Sequence, residues 1–281
     1  MVFTRQNGPK DILFRSPLEA LAVFYRHWSL IKRLTSREIE SRYRGSLLGM
    51  LWAILTPLLM LAVYTYVFST VFQARWGELG PHRSQFAVVL FSGLVLFNLF
   101  SESVSRAPSL MLSNVSYIKK VLFPLEVLPC VVLLVALFNA MTSLLIMAFF
   151  YGALFGVPPW SAVLLPLVFL PLLALTLGLT WFLAAVGVYL RDTGQFVGIL
   201  ILMLLFLSPV FYPLSAVPES YRRVLGLSPI TMVLEDSKQL LFVGEVPSVA
   251  NALVLLVSSL VICWLGYCFF MKTKKGFADV I

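Results

Sequence analysis

The stretch Ser36–Pro57, "SREIESRYRGSLLGMLWAILTP", changes character at its middle. Arg37, Glu38, Glu40, Arg42 and Arg44 crowd its first half, and from Leu47 onward it reads as the opening of a membrane span. Only Gly45-Ser46 separates the two. Taken as one helix at about 100° per residue, residues Leu21–Arg44 place Leu21, Phe24, Trp28, Ile31 and Ile39 on one arc. Arg26, Arg33, Arg37 and Arg44 fall on another. An apolar face set against an arginine face describes a helix lying in the membrane interface. Two compatible roles fit it. One is anchoring, at about 1 kcal/mol per basic residue near an anionic leaflet. The other is contact with an anionic substrate, because guanidinium groups suit bidentate phosphate binding. Arg37, Arg42 and Arg44 sit where the helix meets the span, and they are the candidate substrate entrance.

Composition makes the bilayer the solvent for most of the chain. Of 281 residues, 60% are hydrophobic and 12% charged, and the mean hydropathy is +0.93. Soluble domains average about 45–50% apolar and about 25% charged. The net charge of +8 is read as basic loops retained on the cytoplasmic side, not as a nucleic-acid footprint. Met1–Lys10 is polar, with no short apolar core and cleavage site after it, so no signal peptide is expected. Cys130, Cys263 and Cys268 lie in apolar runs and suggest buried thiols.

A helix needs about 20 apolar residues to cross a bilayer. Six segments qualify: Leu47–Phe72, Phe86–Val104, Val127–Phe155, Ala162–Leu190, Phe196–Tyr212 and Ala250–Met271. An all-α integral membrane protein follows, with a cytoplasmic segment 1–46 and a transmembrane domain 47–281. With this threading, sixteen Lys and Arg residues lie on one side and five on the other, which puts both termini in the cytoplasm. Between the last two spans, Pro218 and Ser228-Pro229 mark helix starts, and Gly226 and Gly244 mark stops. Val217–Leu225 and Ile230–Val243 therefore read as two short outside helices. They form either a re-entrant hairpin packed against protein or an ordinary surface loop.

The spans are poor in ionisable groups. No charged residue occurs from Val127 to Leu190. Transporters driven by protons or sodium commonly place carboxylates near the midplane. Glu102 and Glu126 lie near the cytoplasmic ends, where a solvated role is expected. There is no G-x-x-x-x-G-K-[ST] phosphate loop and no metal-ligand spacing. His27 and His82 fall on opposite sides of the membrane. Any uphill transport must draw on energy from another protein. Trp52, Tyr64, Tyr66, Phe68 and Tyr212 are candidate channel aromatics, since ring faces and hydroxyls suit a sliding sugar chain. Interface belts and ordinary packing explain the same residues.

Four stretches resemble the membrane permease subunit of bacterial polysaccharide ABC exporters, the O-antigen type in particular. They are "SREIESRYRGSLLGMLWAILTPLLMLAVYTYVFSTVF" (36–72), "NVSYIKKVLFPLEVLP" (114–129), "YLRDTGQFVGILILMLLFLSPVFYPLSAVP" (189–218) and "LSPITMVLEDSKQLLF" (227–242). The resemblance covers nearly everything after about Leu30. It implies a six-span permease that pairs with a second copy and rests on two separate nucleotide-binding ATPase subunits. Those subunits would hold ATP and magnesium, leaving this chain without a cofactor or a catalytic residue. The cargo it implies is a polysaccharide on undecaprenyl diphosphate, crossing the bacterial cytoplasmic membrane. By the same resemblance Asn114, Tyr117, Lys119 and Lys120 belong to a coupling helix seated in the ATPase; a plain basic inside loop is the other reading. Tyr221, Arg222, Glu235 and Asp236 fall in its outside gate. Capsule or teichoic acid export is the nearest alternative. More distant are a membrane enzyme on lipid-linked glycan, with Glu219, Arg222, Arg223, Glu235 and Asp236 as its outside candidates, and an exporter of small hydrophobic molecules.

Overall fold

The computed structural model describes residues 17–71, 83–119 and 123–280. Phe72, Arg75, His82, Lys120 and the first sixteen residues of the N-terminal segment lie outside the described residues. Every regular element described is helical. Among the described residues five helical stretches are long and apolar enough to cross a membrane: Gly49–Phe68, Gln85–Leu110, Val127–Phe155, Trp160–Tyr189 and Val249–Val280.

The first helix, α1 (Pro17–Tyr43), kinks at His27, whose φ of −117° and ψ of 20° leave the helical region. Its apolar residues do not all share one fate. Ala20, Val23 and Ile31 are buried, whereas Trp28 is half exposed. The buried side packs on α5 (Val127–Phe155) and α10 (Val249–Thr273). The chain then turns at Gly45, whose φ of +83° only glycine adopts without strain. The Ser46 hydroxyl accepts the Gly49 amide at 3.0 Å. This turn answers the abrupt change in the Ser36–Pro57 stretch, since the glycine ends α1 and lets the chain change direction before the next helix within a few residues.

Helix α2 (Trp52–Tyr64) continues as a π-helical turn over Thr65–Val71. It lies at the periphery. By contrast α3 (Arg83–Leu110) is the central post, buried from Phe86 to Phe97 without interruption, against α5, α6 (Leu165–Tyr189), α7 (Thr193–Leu207) and α9 (Pro229–Lys238). A short helix, α4 (Val115–Ile118), follows it. The tightest crossing joins α6 to α10. A Cβ on Gly266 would stand 2.0 Å from the Gly178 carbonyl oxygen, and one on Gly178 would stand 2.5 Å from the Cys263 Cα. With no hydrophobic force between helices in lipid, such small-residue contacts let backbones gain dispersion energy.

The expected fifth span is shorter than its sequence suggests. Helix α7 ends at Leu207 because Pro209 forces Ser208 into extended geometry, at ψ 149°. Its 15 residues rise about 22 Å, against about 30 Å of hydrocarbon. The two short helices are present. Pro218 starts α8 (Glu219–Gly226), which buries none of its residues. Helix α9 continues as a π turn over Gln239–Val243 and stops at Gly244, with φ +86°. Ile230, Val233, Leu234, Leu240 and Leu241 are all buried. The Tyr151 hydroxyl donates to the Leu241 carbonyl at 2.6 Å, and the Ser161 hydroxyl donates to that of Leu240 at 2.7 Å. These bonds satisfy carbonyls that the irregular turn would otherwise leave unpaired. The chain closes with α11 (Phe277–Val280).

Candidate functional site: a charged clasp over a polar cavity

Helices α1 and α3 each carry a Glu and an Arg four residues apart, Glu38/Arg42 and Glu102/Arg106. That spacing stacks the two side chains on one helix face. Arg42 meets Glu102 at 2.8 Å, and Arg106 meets Glu38. The pairing runs in opposite order along the two helices, so the two ion pairs together tie the last turns of α1 to the C-terminal part of α3. The second Glu102 oxygen accepts from the Asn139 amide at 2.8 Å. Glu126 is likewise held, by Lys274, and its side chain is only 13% exposed. The expectation that Glu102 and Glu126 are simply solvated is therefore overturned. Cations from other parts of the chain reach both carboxylates. The repeated Glu-x-x-x-Arg spacing at 38/42 and 102/106 was visible in the sequence, whereas the part played by Asn139 had no local signal.

Behind the clasp lies a cavity of about 550 Å³ between α2, α3 and α5. Arg42 is one of its lining residues. Trp52 and Tyr64 line it, together with Asn98, Glu102, Asn139 and Ser143. The other predicted aromatics go elsewhere. Phe68 stacks on Phe211, with centroids 5.8 Å apart, and meets Phe86 at a tilt, 5.7 Å away. Tyr66 faces outward. The Tyr212 hydroxyl donates to the carbonyls of Phe206 and Leu207, at 2.9 and 3.0 Å, closing the end of α7. Among the described residues, Trp52 and Tyr64 share this cavity and the other three candidates do not line it.

The three entrance arginines also separate. Arg42 is neutralised by Glu102. Arg37 donates to the Tyr117 hydroxyl and lies 5.9 Å from the centre of that ring, which stacks on Phe123 at 4.4 Å. Arg44 lies beyond the end of α1 and is exposed. A second cavity, of about 340 Å³, is bounded by Arg37, Glu38, Arg106, Asn114 and Tyr117. Asn114 donates to the Leu110 carbonyl at 2.9 Å, so it caps the end of α3. Lys119 is exposed. Arg37 and Tyr117 thus bond the predicted entrance directly to the predicted coupling segment, a link the sequence reading missed.

At the opposite end, Arg222 donates to the backbone carbonyls of Ser215 and Val217, at 2.8 and 2.9 Å. It braces the turn before α8, and Tyr221 beside it is exposed. Among the described residues no hydrogen bond or ion pair joins these two to Glu235 or Asp236. Lys238 is the residue missed here. By sequence it is one of the five basic residues on the outer side, and it is 2% exposed. It donates to the Pro209 carbonyl and to Glu235, the latter at 3.1 Å. Burial lowers its pKa against the pull of Glu235. Asp236 moves the other way. Desolvation, then Glu235, pushes its carboxyl up to about 6.

What the arrangement offers is recognition and mechanical linkage. Among the described residues no three His, Cys, Asp or Glu side chains group to hold a metal ion. The chain is similar to known proteins over most of its length. It is 32% identical to the O-antigen export system permease protein RfbA of Myxococcus xanthus, covering 92% of this chain and 97% of that one. An O-antigen export system permease protein RfbA of Klebsiella pneumoniae is 23% identical over 90% of this chain and 95% of its own. The polysialic acid transport protein KpsM of Escherichia coli is 24% identical over 88% and 94%. The family model described as ABC-2 type transporter matches residues 29–242, a stretch that contains the clasp, the cavity and the Arg37–Tyr117 link. The chain belongs to the ABC-2 type transporter family.

Proposed function

We propose that this chain is the non-catalytic membrane permease of an ABC exporter that moves a lipid-linked, O-antigen type polysaccharide across the bacterial cytoplasmic membrane. Similarity to O-antigen export permeases over about nine-tenths of the chain carries this reading. Six spans complete the topology, with α7 and the irregular 208–212 segment together making the fifth. Both termini are cytoplasmic, α1 lies in the interface, and α8–α9 form the re-entrant outside pair. Two copies form the conduit. Two separate ATPase subunits bind ATP and magnesium and dock on Asn114–Lys120.

The geometry supports a physical route for coupling. Movement of the Tyr117 segment under an ATPase would pull Arg37, and with it α1. Through Glu38–Arg106 and Arg42–Glu102, α1 would shift against α3. The diphosphate of the cargo competes for the same arginines, Arg42 and the exposed Arg44. Similarity to KpsM favours capsular polysaccharide as the second reading.

Replacing Arg37, Arg42 and Arg44 together by Gln tests the entrance. Surface polysaccharide should fall at least tenfold while membrane-inserted protein stays near normal. Unchanged export at normal expression would leave anchoring as the only role of these arginines.

A further inference from the structure

The cavity between α2, α3 and α5 has a lining that the export reading leaves unexplained. Its volume of about 550 Å³ falls in the ligand-pocket range of about 300–1,000 Å³. Along α3, every residue from Phe86 to Phe100 is buried except Asn98, which opens into this space. No side-chain partner of Asn98 is found among the described residues. Amides on membrane helices are costly without partners and tend to mark a pathway or a ligand. Asn139 faces the same cavity from α5 and already holds Glu102. Ser143 and Thr142 donate to the Asn139 backbone carbonyl, at 2.9 and 2.8 Å, which leaves their oxygen lone pairs available to accept. Trp52 and Tyr64 supply ring surface from α2.

This combination selects a chemistry. Amides, a carboxylate and hydroxyl oxygens accept from hydroxyl groups, and aromatic faces cover the apolar faces of a sugar ring. Among the described residues the one cation on the lining, Arg42, is already paired with Glu102. No unpaired cation is left among the described lining residues to hold a phosphate, and the set suits a neutral, hydroxylated ring.

We propose that this cavity is a saccharide-binding site within a single protomer, taking the sugar next to the lipid diphosphate, with Asn98, Asn139 and Glu102 as its hydroxyl-reading groups. The diphosphate itself stays outside, at Arg42 and Arg44. The proposal rests on the reading of the cargo as a lipid-linked glycan.

The test uses the permease–ATPase complex in lipid nanodiscs and three probes: polyprenyl diphosphate alone, and the same lipid carrying one neutral hexose or one N-acetylhexosamine. Affinities are read by native mass spectrometry. The wild-type complex should bind at least one glycosylated probe tenfold or more tightly than the bare lipid. Asn98→Leu should erase that preference without changing affinity for the bare lipid. Ala140→Phe, which plugs the cavity from α5 without removing a polar group, should do the same. Where Asn98→Leu fails to assemble, Ala140→Phe decides. Equal affinity of the wild type for all three probes, or a preference that survives both variants, overturns the proposal. Failure of the wild type to bind even the bare lipid overturns the export reading on which it rests.

Discussion

Alanine at Glu38, at Arg106 and at both gives a direct measure of one half of the clasp between α1 and α3. The side chains are 40% and 32% exposed, between surface pairs, at about 0–1 kcal/mol, and buried ones, where breaking a pair costs about 3–5 kcal/mol. A double-mutant cycle on detergent-solubilised protein should give a coupling of about 0.5–3 kcal/mol. The reversed pair Glu38→Arg with Arg106→Glu should recover most of it, and strictly additive effects would show that the pair contributes nothing. Asp236 provides a second test. Its folded-state pKa is raised from 3.8 to about 6, so the folded protein keeps a proton that the unfolded chain has released. Stability then falls as pH rises through that window and levels off above it. Asp236→Asn should flatten the slope and raise the apparent melting temperature at pH 7, with little change at pH 4. An unaltered pH profile would contradict the assignment. Single residues were only partly legible in the sequence. Arg37, Arg42 and Arg44 stood out by type and spacing, but which of them is neutralised depends on α3, a helix distant in sequence. Lys238 was misread because counting charges by loop cannot distinguish a surface lysine from one that donates inward to Pro209.

The helices were mostly visible in the hydropathy. Val127–Phe155 has the predicted bounds, and Pro218, Pro229 and Gly244 mark the short helices where turn chemistry places them. The difference in length at α7 has a local cause, because Phe211 and Tyr212 extend the apolar run past Pro209, which ends the helix. Contacts between helices were not legible, since Gly178 and Gly266 lie 88 positions apart. Gly266→Ala should lower the apparent melting temperature, as overpacking costs about 1–3 kcal/mol. Gly152→Ala is the control, since a methyl there meets open space. Equal tolerance of both would mean that the α6–α10 crossing is looser than described. The link between α1 and the α4 region makes a functional prediction. Tyr117→Ala removes both the hydrogen bond and the ring under Arg37, whereas Tyr117→Phe keeps the ring. Polysaccharide moved per ATP hydrolysed should fall several-fold in Tyr117→Ala and less in Tyr117→Phe. An unchanged ratio in both variants would locate the coupling route elsewhere.

Taken as a whole, the chain joins a cationic approach on α1, a polar cavity beneath it and a bonded link to the segment proposed to meet an ATPase. Its membrane class followed from composition, and the proposal that it depends on outside energy started from the missing phosphate loop and the uncharged run from Val127 to Leu190. The cavity could not be foreseen, because its walls come from three helices distant in sequence. The central claim is that the protein is a conduit with no motor of its own. The decisive measurement is translocation of lipid-linked polysaccharide in proteoliposomes, with and without the companion ATPase and ATP. The account predicts that glycan reaches the far side only when permease, ATPase and ATP are all present. Accumulation of glycan against a gradient by the purified permease alone would contradict it.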